Sequence, residues 1–170
     1  MITRRSFLMA SVAALIPGRV LAQSCMPARD VSGTGPWFNS APLDLAGLRG
    51  KAVLVEFWTL GCSNCRNVEP YINQWHERYG RQGLVIVGVH TPEFAYEADP
   101  KRLKNYLLEH RILHPVVMDK DYAIWNRWGN RYWPALYLVD PSGQVCYSHF
   151  GEGAYARTEQ EIRALLAEGH

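Results

Sequence analysis

Strong charge of either sign is missing from this 170-residue chain, in which 18 basic side chains face 16 acidic ones for a formal net charge of +2. Three of the basic residues, Arg4, Arg5 and Arg19, lie in an N-terminal stretch without acidic residues, so the chain beyond residue 22 carries 15 basic against 16 acidic side chains. A domain so nearly neutral has no basic footprint for gripping nucleic acid. Long apolar runs are missing too: the stretch from Phe7 to Ile16 falls well short of the roughly 20 residues that span a bilayer. Internal repeats, low-complexity tracts and blocks of like charge are absent, which argues against solenoids and disordered tails. Cysteine is scarce, with four residues at positions 25, 62, 65 and 146, and a single pair has diagnostic spacing. What is present is 48% hydrophobic and 12% aromatic residues, enough in a chain of this length for one core and one domain.

Residues 1–22 read as a targeting segment: Arg4 and Arg5, the apolar stretch, then Pro17, Gly18 and small residues ending at Ala22. Val20 and Ala22 occupy the positions a signal peptidase favours, which places cleavage before Gln23. Thr3-Arg4-Arg5-Ser6-Phe7-Leu8-Met9 resembles a twin-arginine export signal. Gln23 and Ser24 make a poor lipobox, so a lipid anchor on Cys25 is not expected. The expectation is a soluble extracytoplasmic protein, periplasmic in a Gram-negative cell, where disulfides persist.

Residues 23–36, small and polar with Pro27, Gly33 and Gly35, suggest a flexible arm, with the ordered domain spanning 37–170. Ala52 to Trp58 is a mostly apolar β-favouring run that suits a strand covered on both faces. From Cys65 to Tyr79, Val68, Tyr71, Ile72 and Trp75 recur at helical spacing, with Pro70 as an interruption. Leu84 to Val89 is a second buried strand. Asp99 as N-cap and Pro100 at the first helical position start a helix that runs to about His110. Val116 to Met118 is a short strand and Tyr122 to Trp128 a short aromatic helix. Pro134 to Val139 and Gln144 to Phe150 form a hairpin about the turn Asp140-Pro141-Ser142-Gly143. Thr158 with Glu161 suggests a capping box for a last helix through about Ala167. This order predicts an α/β fold with a central mixed sheet flanked by helices, a layered arrangement that accepts a site at strand C-termini.

Cys62-Ser63-Asn64-Cys65 sits where the first buried strand hands over to a helix. Unpaired N–H groups and the helix dipole there favour a thiolate on the first cysteine, and the thiolate is the attacking species in disulfide exchange. Cys65, one turn on, is placed to resolve the mixed disulfide that results. Haem attachment would need His after the second cysteine, where Arg66 stands, and a structural zinc site would need a second ligand pair.

The segment Val55-Glu56-Phe57-Trp58-Thr59-Leu60-Gly61-Cys62-Ser63-Asn64-Cys65 resembles the active-site strand and turn of the thioredoxin superfamily. The domain is similar to the extracytoplasmic TlpA and ResA branch, and most similar to the soluble domain of DipZ-type membrane proteins. That likeness runs through Gly88-Val89-His90-Thr91-Pro92-Glu93, Arg131-Tyr132-Trp133-Pro134-Ala135 and Phe150-Gly151-Glu152-Gly153. The resemblance implies a thioredoxin-like three-layer fold with an insertion after the second core strand. It also implies a thiol-disulfide oxidoreductase that needs no cofactor or metal and acts as a monomer on exported proteins. Electrons would come from a membrane thiol-electron transporter of the CcdA or DsbD type. Glu56 matches the superfamily's buried carboxylate, whose raised pKa suits it to take the proton of Cys65. Trp133-Pro134 matches the cis-proline loop that shapes the substrate groove, a groove to which Trp58 and Tyr132 would add an aromatic collar. Trp125 and Trp128 are expected in the core, and His90 and Glu93 take no catalytic part.

Two rival activities share this motif. A copper-binding thiol carrier would use Cys62, Cys65 and a histidine such as His90, though such carriers space their cysteines more widely. A thiol peroxidase of the peroxiredoxin type would need the proline and threonine that Thr59-Leu60-Gly61 lacks. Cys146 is open to two readings, an inert thiol on its strand or a disulfide with Cys25.

Overall fold

A computed structural model describes residues 25–168. The expected export signal at 1–22 lies outside the described residues. The chain runs through β1 (Met26–Pro27), β2 (Trp37–Phe38), β3 (Ala52–Trp58), α1 (Ser63–Tyr79), β4 (Leu84–His90), α2 (Pro100–Glu109), β5 (Val116–Met118), α3 (Ala123–Trp128), β6 (Ala135–Val139), β7 (Gln144–Phe150) and α4 (Tyr155–Glu168). The strands form one sheet in the order β1-β7-β6-β3-β4-β5-β2. The inner strands β3, β4 and β5 are parallel, while β6, β7, β1 and β2 pair antiparallel at the two sides. No helix among the described residues is long and apolar enough to cross a membrane.

Every residue of β3 is buried, because helices cover both faces of the sheet's centre. Its period of two divides the core. Leu54, with Ile86, Leu136 and Leu138, meets Val68, Ile72 and Trp75 of α1 and Ile162 of α4. Val53, Val55 and Phe57 face the opposite layer, where Val87, Val89 and Val139 pack on Ile124 and Trp125 of α3. Near the C-terminal ends of the parallel strands, Leu103 and Leu107 of α2 join Trp58, Leu60, Cys65, Val116 and Met118. Asp99 caps α2 as its sequence position predicts, accepting from the Lys101 N–H at 2.9 Å. The start of α3 is held from outside the helix, the Asp119 carboxylate accepting from the Ile124 and Trp125 N–H groups.

Three sequence expectations are revised. Residues 25–36 are not a loose arm: Met26 pairs with Val145 and Pro27 with Gln144, and Val31 is completely buried in the core. Small, polar composition conceals this because a single apolar residue and one strand pair suffice to dock the segment. Thr158 does not cap the last helix, which begins three residues earlier at Tyr155. Its buried hydroxyl pairs instead with that of Tyr147 on β7 at 2.9 Å. Tyr71 leaves the buried face of α1 and stacks on Tyr155 of α4, ring centroids 3.6 Å apart.

Candidate active site

Cys62 is the N-cap residue of α1, with extended backbone angles, and its Sγ accepts from the Cys65 N–H at 3.1 Å. No acidic residue occupies the first turn of α1, and Arg66 does, so the helix N-terminus keeps its full preference for an anion. Cys62 is half-buried while Cys65 is almost fully hidden, 3% exposed. The two sulfurs are joined as a disulfide, so the site stands in its oxidised form. Once reduced, only Cys62 would be open to a partner.

Glu56 lies in the middle of β3, 4% exposed. Alternation places it with Leu54 on the sheet face that α1 covers. Burial, reinforced by the negative charge of Glu69 on α1, pushes its pKa up to about 8. Beside it in register is Gly88 of β4. A methyl group there would lie 2.9 Å from Trp58 Nε1 and 3.1 Å from His114 Nε2, so glycine keeps the room that the indole and imidazole occupy.

The Trp133-Pro134 peptide bond is cis. The Pro134 carbonyl accepts from Gly151 N–H at 2.8 Å, which ties the loop to the end of β7. Trp133 is half-buried: its ring packs on Trp125 with centroids 4.3 Å apart, and its Nε1–H donates to the Thr91 carbonyl at 3.1 Å. Trp133 and Cys62 both pack on the cluster that holds Trp58 and Cys65, so the structure brings together residues about 70 positions apart in sequence.

Trp58 departs from its expected place in the groove. It is 4% exposed, packed between His90 and Tyr106 with ring centroids at 5.2 and 5.8 Å, and supports the site from beneath. Period-two alternation in a strand covered on both faces sends it inward. Tyr132 does project outward, against Phe150, so no closed aromatic collar forms. Trp125 is core, as expected, and Trp128 packs half-buried beside Phe57. His90 is wholly buried, and desolvation lowers its pKa to about 4. Among the described residues, the cluster of potential metal-ligand atoms is Cys25, Asp140 and Cys146. Cys62 and Cys65 do not belong to it. Cys25 and Cys146 form a disulfide, which decides between the two readings of Cys146.

One residue that sequence reasoning passed over is Glu97. It is completely buried and bonded to the backbone of Gly61, next to Cys62, and to that of Glu93 and Phe94. Nothing in the run Phe94-Ala95-Tyr96-Glu97 marks this carboxylate as different from a surface one.

A half-buried N-terminal cysteine, a hidden second cysteine, a buried carboxylate and a cis-proline loop on a mixed sheet define the class: a thioredoxin-like thiol-disulfide oxidoreductase. The chain belongs to the AhpC/TSA family, whose model matches residues 27–148. It is 41% identical over 152 residues to Protein DipZ of Mycobacterium tuberculosis, covering 88% of this chain but only 22% of that protein. It is 30% identical over 142 residues to the thiol-disulfide oxidoreductase YkuV of Bacillus subtilis, covering 84% of this chain and 95% of that one. A thioredoxin-like protein solved in its oxidised form superposes with a TM-score of 0.76 at 30% identity, over 85% of this chain and 97% of that one.

Proposed function

We propose that this chain is an exported reductant of protein disulfides, with Glu56 as the proton acceptor of its resolving step and the Trp133-Pro134 loop as the wall of its substrate groove. The Cys62 thiolate attacks one sulfur of a partner disulfide. A Cys62–partner disulfide forms, the partner's own S–S bond breaks, and its other sulfur leaves as a thiol after taking up a proton. Cys65 then gives its proton to the Glu56 carboxylate and attacks Cys62 Sγ. This closes the Cys62–Cys65 disulfide and expels the partner's second sulfur, so two electrons have passed to the partner. A membrane thiol-electron transporter of the CcdA or DsbD type would return the chain to the dithiol.

The observation that carries this reading is a carboxylate buried on the sheet face that α1 covers, with a pKa of about 8 that lets it hold or release a proton near neutrality. A substrate strand would pair with the main chain beside the Trp133-Pro134 loop. Export is supported by the Arg4-Arg5 segment and by a second disulfide, which persists in oxidising compartments.

The reduction potential of the Cys62–Cys65 couple tests the direction. A value near about −270 mV supports a reductant, and one near about −120 mV would make the chain an oxidant. Glu56→Gln should slow insulin reduction while leaving capture of a mixed disulfide by Cys65→Ser intact.

A further inference from the structure

Glu97 lies in the short 3-10 helix Ala95–Ala98 between β4 and α2, 35 positions beyond Cys62 in sequence. Its carboxylate has three main-chain donors. Oε2 accepts from the Glu93 N–H at 2.6 Å and the Phe94 N–H at 2.9 Å, and Oε1 accepts from the Gly61 N–H. The side chain is 0% exposed. Burial alone would raise its pKa, but the Phe94 N–H, the Thr59 hydroxyl and the N–H groups of Gly61 and Glu93 together more than offset this and hold it below the usual carboxylate range.

Gly61 is the residue immediately before Cys62. A methyl group on it would sit 2.6 Å from Glu97 Oε1 and 2.7 Å from the Tyr96 hydroxyl. The Tyr96 ring is half exposed and can swing away, whereas Glu97 is pinned at both oxygens. The close approach of carboxylate and backbone therefore requires glycine. A glutamine could not replace the clamp, because its single carbonyl oxygen serves one side and its NH2 group would face an N–H on the other.

We propose that Glu97 is a positioning residue for thiol-disulfide exchange, clamping the Gly61 end of the active-site turn and holding a fixed negative charge on the backbone one residue before Cys62. The clamp sets where Cys62 Sγ lies relative to the N-terminus of α1. The charge opposes the thiolate that the helix favours, so it biases the couple toward the disulfide and makes the dithiol the stronger reductant.

The test is the titration of Cys62 in the Cys65→Ser background, read by the rate of thiol alkylation against pH. Glu97→Gln should lower the Cys62 pKa, raising the alkylation rate below it by about threefold or more. In the two-cysteine protein it should move the exchange equilibrium with dithiothreitol toward the Cys62, Cys65 dithiol. Gly61→Ala, which displaces the carboxylate sterically, should act in the same direction, and the two changes together should do little more than either alone. A folded Glu97→Gln protein with an unshifted Cys62 titration overturns the proposal. Should neither variant fold, amide exchange in the unaltered protein decides it. A Gly61 N–H bonded to a buried carboxylate is protected, and one that exchanges as fast as exposed loop amides overturns the clamp. These readouts do not depend on insulin reduction, so failure of the chain to reduce a protein disulfide would be distinguishable from failure of the clamp.

Discussion

The chain carries two disulfides built on different physical terms. Cys62–Cys65 closes a loop of a single helical turn at an anion-favouring helix end, and the helix it opens covers the sheet face that holds Glu56, a buried carboxylate with a raised pKa. Cys25–Cys146 joins residues 121 positions apart, at the sheet edge where β1 meets β7. Cys146 falls where the β6–β7 register slips between Leu138 and Val139, at a bulge, and stands opposite Cys25 across the β1–β7 pair. The first bond gains little from chain entropy and has a mechanism for opening; the second closes a long loop and stands apart from the exchange machinery. Loop length and electrostatic surroundings, rather than the sulfur chemistry itself, separate a working disulfide from a bracing one.

The contrast can be broken most sharply at the nucleophile. Cys62→Ser should abolish insulin reduction, a fall of about a thousandfold or more, with the melting temperature little changed. Replacing both Cys25 and Cys146 by Ser should leave the reduction rate within about twofold but lower stability by about 2 kcal/mol or more in a denaturant titration. If those two outcomes were exchanged, the division of labour between the bonds would be wrong.

Glu56→Gln comes next, with an expected fall of about tenfold to a hundredfold in turnover and loss of the pH dependence of the resolving step centred near 8. The same substitution has a stability signature. Glu56 ionises at about 4.5 in the unfolded chain but keeps its proton to about 8 when folded, so the folded form binds more protons across that window. Stability therefore falls as pH rises from 4.5 through 8, and Glu56→Gln should melt higher than the parent at pH 9 with the difference vanishing near pH 4. On the acid side, His90 and His114 are buried and neutral, with pKa values lowered to about 4 and about 3. The unfolded chain takes up their protons below about 6.5, so stability should fall as pH drops from there toward 4, read as a declining midpoint in urea.

Much of this was legible in the linear chain. The run Ala52–Trp58, the Asp99-Pro100 start of α2, the β6–β7 hairpin and the Cys62–Cys65 pair all rest on near-neighbour signals: periodicity, caps and turn residues. The misreadings share a cause. Thr158 and Glu161 have the spacing of a capping box, yet helix α4 starts earlier because Tyr147 on another strand claims the Thr158 hydroxyl. Trp58 was expected to line the substrate groove beside Cys62, but strand alternation under two layers of helix turns it inward. Glu97 gave no local sign, since each of its donors lies on backbone that only the folded chain brings to it.

By itself, the sequence determined the class of chemistry and the order of elements, because a thiolate at a helix N-terminus and the alternation of buried strands are properties of short segments. Tertiary structure alone decided that Met26 and Pro27 pair at the sheet edge and that Val31 joins the core, that Cys25 finds Cys146, and that Trp58 supports the site rather than lining it. The same holds for Glu97 at the Gly61 N–H. Each of these depends on which distant surface a side chain or strand edge meets, and that is set by packing of the whole core, not by the neighbours a residue has along the chain.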